Sequence, residues 1–172
     1  MTQLPADLLD LAKMAVTAAK ASGKKITTAE SCTGGLVGAC ITAIPGASAV
    51  YECGYITYSN DAKTRLLGVP RDAIAQFGAV SDVVAAAMAE GALAQSNSDI
   101  AVSVTGIAGP DGGSKEKPVG LVYLAVAQRG MDAQVKRYVF AGNRHDVRRA
   151  SVAAALELMA SQMQTVDQPA EA

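Results

Sequence analysis

The sequence predicts an α/β fold: a three-layer α/β/α domain on a mixed, mostly parallel sheet that ends in a hairpin. Three observations carry this expectation. Segments with helical apolar spacing alternate with short apolar runs rich in β-branched residues. Two of those runs end in loops crowded with small residues, TAESCTGG and TGIAGPDGG. Late in the chain, GLVYLAVAQ and AQVKRYVF are separated only by the turn-forming RGMD, which makes a hairpin.

Each element follows from local pattern. Leu4, Leu8, Leu11 and Ala15 recur at helical spacing with Asp7, Asp10 and Lys13 between them, giving an amphipathic helix that ends near Ser22 and Gly23. KKITTA is a strand, and LVGACITAI a buried helix stopped by Pro45 and Gly46. Val50 to Tyr58 is a second strand, followed by a short helix from NDAK to about Leu67. Pro70 to Phe77 adds a turn or two of helix, and Ser81 with Asp82 opens a longer one through Val84, Met88 and Leu93. DIAVSVTGIAG is an apolar strand running into a glycine loop. After the hairpin, Asn143 caps a last helix in which Val152, Leu156, Met159 and Met163 repeat at three to four residues. Residues 1–165 are expected to form one domain, and 166–172 a frayed tail.

Composition narrows the function. The chain has 172 residues, half of them apolar, and a formal charge of −1, so it lacks the basic footprint of a nucleic-acid or membrane-surface binder. No run approaches the roughly 20 apolar residues that span a bilayer, and the N-terminus has no basic segment ahead of its leucines, which points to the cytoplasm. Three cysteines and a single histidine fit reduced thiols and no metal site.

TAESCTGG raises the sharpest question. A strand, a bend of small residues and a helix place Ser31 at the carboxyl edge of a sheet, where α/β proteins bind ligands. Thr33, Gly34 and Gly35 leave the first helical N–H groups accessible to an oxyanion or a phosphate. Equally, Ser31 can be a plain N-cap, with the glycines serving close packing. A nucleophilic serine needs a base. His145 is the only histidine and lies at the start of the last helix, so a lysine becomes the serious candidate. Lys63 falls in the first turn of its helix, where the dipole, partial burial or Arg65 would favour a neutral amine. Asp61 would oppose that shift if close, so the net sign stays open, as does a solvated surface role. Cys32 is a rival nucleophile in the same loop.

TGIAGPDGG would lie along the same sheet edge, its glycines allowing close backbone approach to a ligand, or it is a mobile surface loop. It is no Walker loop, because Ser114 stands before Lys115 where a glycine is needed and Pro118 introduces a strand.

Taken in order, TAESCTGG, TYSNDAK, GAVS, TGIAGPDGG, KPVGLVY and GNRHDVRR resemble the C-terminal domain family of the competence-damage-inducible protein CinA, from about Leu8 to Leu158. The likeness is nearest to the family's stand-alone members, and the extra N-terminal domain that some members carry is expected to be missing, with the first helix beginning almost at Met1. It implies hydrolysis of the carboxamide of nicotinamide mononucleotide to nicotinate mononucleotide and ammonia, in NAD salvage. Carried onto matching positions, Ser31 is the implied nucleophile, Lys63 its base and Tyr58 a hydrogen-bonding aid. Glu30, Cys32, Thr33, Gly34, Gly35, Asn60, Thr105, Gly106 and Gly109 make up the expected substrate-binding set. No metal or organic cofactor is expected, and the partners are a pyridine nucleotide and, by the same resemblance, a second copy of the chain. The alternative is a non-catalytic nucleotide-binding or competence-related regulatory module using the same loops.

Overall fold

The structure, a computed structural model, describes residues 4–164, so the tail expected to fray lies outside the described residues. Helices α1 (Ala6–Ser22), α2 (Leu36–Thr42), α3 (Asn60–Leu67), α4 (Arg71–Phe77), α5 (Asp82–Ala94) and α6 (Arg144–Gln164) alternate with strands β1 (Ile26–Glu30), β2 (Tyr51–Ile56), β3 (Ile100–Gly106), β4 (Leu121–Gln128) and β5 (Gln134–Val139). The caps are local chemistry. Gly23 closes α1 in the left-handed region, and the hydroxyls of Ser59 and Ser81 accept the N–H groups of Ala62 and Val84. Asn143 accepts from His145 and Asp146 at the start of α6, while Asp146 reaches back to the Asn143 N–H.

The five strands form one sheet in the order β2-β1-β3-β4-β5. β1 pairs in parallel with both β2 and β3, and β4 pairs antiparallel with β3 and β5, so β4 alone runs against the other four. α1, α2 and α6 cover one face of the sheet, and α5, backed by α3 and α4, covers the other. That is the expected α/β/α layering.

The two faces differ in side-chain size because strand residues alternate in direction. Ile100, Val102 and Val104 of β3, with Val122, Leu124 and Val126 of β4, pack under α1 and α6. Their neighbours Ala101, Ala125 and Ala127 pack under α5, which meets them with Ala85, Ala89 and Ala92. The Ser103 hydroxyl on this face donates to the Ala85 carbonyl at 2.6 Å. Small residues on both sides let the helix lie low on the sheet.

The same economy of volume joins α3 to α5. A Cβ at Gly91 would stand 2.0 Å from the Leu67 carbonyl oxygen, so only glycine lets the end of α3 rest there. Gly91→Ala is expected to lower stability by about 1–3 kcal/mol, the usual range for overpacking, as measured by urea denaturation.

Candidate active site

The chain leaves β1 for α2 on one face and leaves the adjacent β2 for α3 on the other. Neighbouring strands whose connections diverge open a crevice at their carboxyl ends. Ser31 sits at one lip, its N–H donating to the Val104 carbonyl at 2.9 Å, while Thr57 is tied to the other strand end by a bond from its N–H to the Glu30 carbonyl at 2.8 Å.

Lys63 comes up from α3 between them. Its Nζ lies 3.0 Å from the Ser31 Oγ and donates to the Thr57 carbonyl at 2.8 Å. The lysine is 1 % exposed and the serine 8 %. Removal from water lowers the Lys63 pKa below its ordinary 10.5, and the nearby Cys32 opposes this only in part. Asp61, whose influence the sequence leaves open, turns outward and is held by Arg65 at 3.5 Å and Arg71 at 2.9 Å. A hydroxyl therefore faces an amine biased toward its neutral form, the arrangement a general base needs.

A cleft of about 200 Å³ opens over this pair. Ser31, Cys32, Tyr58, Asn60, Lys63, Thr105 and Gly106 line it, together with Ala79, Val80, Ala108 and Arg144. The last four were not among the expected site residues. Arg144 stands next to the histidine that drew attention in the sequence; its guanidinium donates to the Gly109 carbonyl at 2.8 Å and to the Tyr58 hydroxyl at 3.0 Å. His145 is exposed and lines a separate hollow with Leu4, Pro5 and Leu8. A larger concavity, about 590 Å³ between α1 and Met163 of α6, contains neither Ser31 nor Lys63.

Glu30, Thr33, Gly34, Gly35 and Gly109 do not line the cleft. The Glu30 side chain turns back under the loop: one carboxylate oxygen accepts from the N–H groups of Gly35 and Val37 at 2.9 and 3.1 Å, the other from Gly38 at 2.9 Å. The donors of α2 expected to face an oxyanion are thus already engaged by this 1 % exposed carboxylate. Gly34 and Gly35, at φ of 62° and 97°, serve the backbone path of the turn. The Gly109 carbonyl is occupied by Arg144.

On the opposite side of the loop, Arg148 donates from Nε to the Cys32 carbonyl at 3.1 Å and from Nη2 to the Thr33 carbonyl at 3.0 Å. In a trans peptide the N–H points opposite the carbonyl. Drawing the Cys32 carbonyl toward α6 therefore turns the Thr33 N–H away from α6. The N–H groups of Cys32 and Thr33 are engaged by no carbonyl or carboxylate among the described residues. The Cys32 thiol is pushed up to about 11, chiefly by burial, and is a poor nucleophile near neutrality.

Among the described residues no three or more His, Cys, Asp or Glu side chains gather into a metal-binding group, and no helix is long and apolar enough to cross a membrane.

A sequence profile described as the CinA C-terminal domain matches residues 8–163. The chain is 49 % identical over 153 residues to the Escherichia coli protein named nicotinamide-nucleotide amidohydrolase PncC, covering 89 % of this chain and 93 % of that one. It is 51 % identical over 143 residues to a CinA-like protein of Geobacter sulfurreducens, covering 83 % of this chain and 34 % of that longer protein. The crystal structure of the competence/damage inducible protein CihA from Agrobacterium tumefaciens matches with a TM-score of 0.91 at 44 % identity, over 95 % of this chain and 99 % of that one.

Two outcomes follow from the buried charges. Glu30→Ala strands three N–H groups and is expected to cost about 3 kcal/mol or more in denaturant unfolding, since each orphaned buried donor costs roughly 1–3 kcal/mol. Lys63 binds fewer protons folded than unfolded between its lowered pKa and 10.5, so its contribution to stability improves as pH rises through that window. The stability of Lys63→Met relative to the parent is accordingly expected to fall as pH rises from 7 toward 10.5, in unfolding curves recorded across that range.

Proposed function

Since this chain belongs to the CinA C-terminal domain family, we propose that it hydrolyses the carboxamide of nicotinamide mononucleotide, giving nicotinate mononucleotide and ammonia for NAD salvage. The observation that carries the reaction is the 3.0 Å approach of Lys63 Nζ to Ser31 Oγ inside a lined cleft.

The Lys63 amine takes the Ser31 proton as Oγ attacks the amide carbon, giving a tetrahedral intermediate. The loop N–H groups of Cys32 and Thr33, left over once Glu30 has capped α2, are the donors that meet the oxyanion; each such donor is worth roughly 3–4 kcal/mol of transition-state stabilisation. The ammonium of Lys63 then passes its proton to the departing nitrogen, which leaves as ammonia. A water molecule, deprotonated by the regenerated amine, attacks the ester carbon, and the Lys63 ammonium returns the proton to Ser31 Oγ as the acyl–oxygen bond breaks and the product acid leaves. The Thr57 carbonyl holds Nζ in place through both halves of the cycle.

The rest of the cleft suits a mononucleotide. Ala79, Val80 and Ala108 give the pyridine ring apolar walls, and Asn60 offers an amide partner for the carboxamide. Arg144 brings a cation to the phosphate, with Tyr58, 62 % exposed, fixing the guanidinium from the rim. Residues 1–165 act as one amidohydrolase domain in this scheme. Three free cysteines support a reducing cytoplasm as its compartment, and the family likeness carries the expectation of a homodimer, which light scattering tests.

Incubation of the purified protein with nicotinamide mononucleotide, without added metal, is expected to release ammonia. Ser31→Ala should lower kcat by a factor on the order of a thousand or more, and unchanged turnover by the folded variant would refute the assignment. Because the base acts as the free amine, kcat/KM is expected to rise with pH through an inflection below 10.5, and this limb should vanish in Lys63→Met. Cys32→Ala is expected to keep turnover within about threefold of the parent, as a residue with a protonated thiol and a replaceable side chain does.

A further inference from the structure

Lys117 lies in the segment that joins the glycine loop to β4, and nothing in the proposed chemistry uses it. Its Nζ donates to the Phe77 carbonyl at 2.5 Å and to the Val80 carbonyl at 2.8 Å. It forms no ion pair among the described residues. Phe77 is the last residue of α4 and Ser81 the N-cap of α5, so the ammonium sits on the turn that links the two helices. Two residues of that turn, Ala79 and Val80, form a wall of the cleft.

The ends of the turn are tied to the helices, the Gly78 N–H donating to the Ile74 carbonyl at 2.9 Å and the Ala85 N–H to the Ser81 carbonyl at 3.0 Å, while its middle has two further bonds. The Thr105 hydroxyl donates to the Ala79 carbonyl at 2.8 Å and the Ser81 hydroxyl to the Gly78 carbonyl at 2.9 Å. Gly78 has φ 78°, and a Cβ there would stand 2.8 Å from Lys117 Nζ, so the cation is seated directly against the backbone. Its own position is set by a local loop, in which the Lys117 N–H donates to the Ser114 hydroxyl at 3.0 Å and the Ser114 N–H to the Lys117 carbonyl at 2.7 Å. An ammonium at the carbonyl end of a helix is also favoured by the helix dipole.

We propose that Lys117 is a positioning residue that clamps the 77–80 turn through its backbone carbonyls and so fixes the Ala79–Val80 wall of the substrate cleft. The inference rests on the reading of this cleft as a mononucleotide site. Ser31 and Lys63 are held by β1, Thr57 and α3, and the hydrogen bonds of Lys117 go to none of these. Releasing the clamp therefore reduces the fraction of molecules with a binding-competent wall and leaves the reacting pair intact.

Lys117→Met keeps the length of the side chain and removes its donors, while Lys117→Arg restores donors. With nicotinamide mononucleotide as the probe, Lys117→Met is expected to raise KM by about fivefold or more with kcat within about twofold, and Lys117→Arg to return KM most of the way. The pH inflection of kcat/KM stays where it is in the parent. An unchanged KM, or a loss confined to kcat with a displaced inflection, overturns the proposal. Hydrogen exchange of the amides at 78–81 gives a reading that needs no turnover: it should quicken in Lys117→Met and recover in Lys117→Arg, and equal exchange in all three overturns the clamp. If the parent releases no ammonia, the amidase reading fails by itself and the exchange result still decides the clamp. Should Lys117→Met not fold, Ser114→Ala, which loosens the Lys117 turn, must move KM and exchange in the same directions, and no movement counts against the proposal.

Discussion

The arrangement depends on one amine kept out of water. Lys63 is an alkylammonium by default, and the protein biases it toward the neutral form by enclosing it with a hydroxyl and a carbonyl as its hydrogen-bond partners. The rest of the architecture makes that enclosure possible. Divergent connections from β1 and β2 open the crevice, and the alanine-lined face of the sheet lets α5 lie low. Gly91 lets α3 rest on α5, and α3 carries Lys63, one turn before Leu67, into place beneath the serine.

The loop bearing Ser31 is held from two sides by groups of opposite sign. Glu30 gathers three N–H groups below it, and Arg148 gathers two carbonyls from α6. Hydrogen bonds to charged groups are about twice as strong as neutral ones, and both partners here are charged groups bonding neutral backbone. A loop gripped in this way can present a nucleophile without using its helix N-terminus as the anion site. The commonest reading of a strand–glycine–helix junction, that the helix end itself receives the negative charge, does not apply where a side chain of the same loop already occupies it.

Much of this was legible in the sequence because it is local. Ser81 and Asn143 announce helix starts, Gly23 announces a stop, and apolar spacing separates helix from strand. Ser31 stood out because it falls where a strand meets a helix through a loop of small residues, and Lys63 because the single histidine left a lysine in the first turn of a helix as the candidate base. Glu30 did not reveal its role, since the residue before a candidate nucleophile can point into a site or under it, and only the path of the next eight residues decides. Arg144 was hidden behind its neighbour His145, the more familiar base. Its two partners, Gly109 and Tyr58, lie 35 and 86 positions away, and no local pattern encodes such distances. The size difference between the two sheet faces was present in the alternation of β3 but could be assigned to a layer only once the topology was known.

That size difference has an evolutionary side. On the α1/α6 face, bulky aliphatic side chains can trade volume among themselves, as cores that conserve total volume do. On the α5 face the sheet itself presents small residues, Ala101, Ala125 and Ala127, and a methyl added at Gly91 of α5 meets the end of α3. Drift in this protein should therefore be lopsided: the α1/α6 layer accumulates neutral replacements, while a change at Gly91 is felt by the helix that carries Lys63.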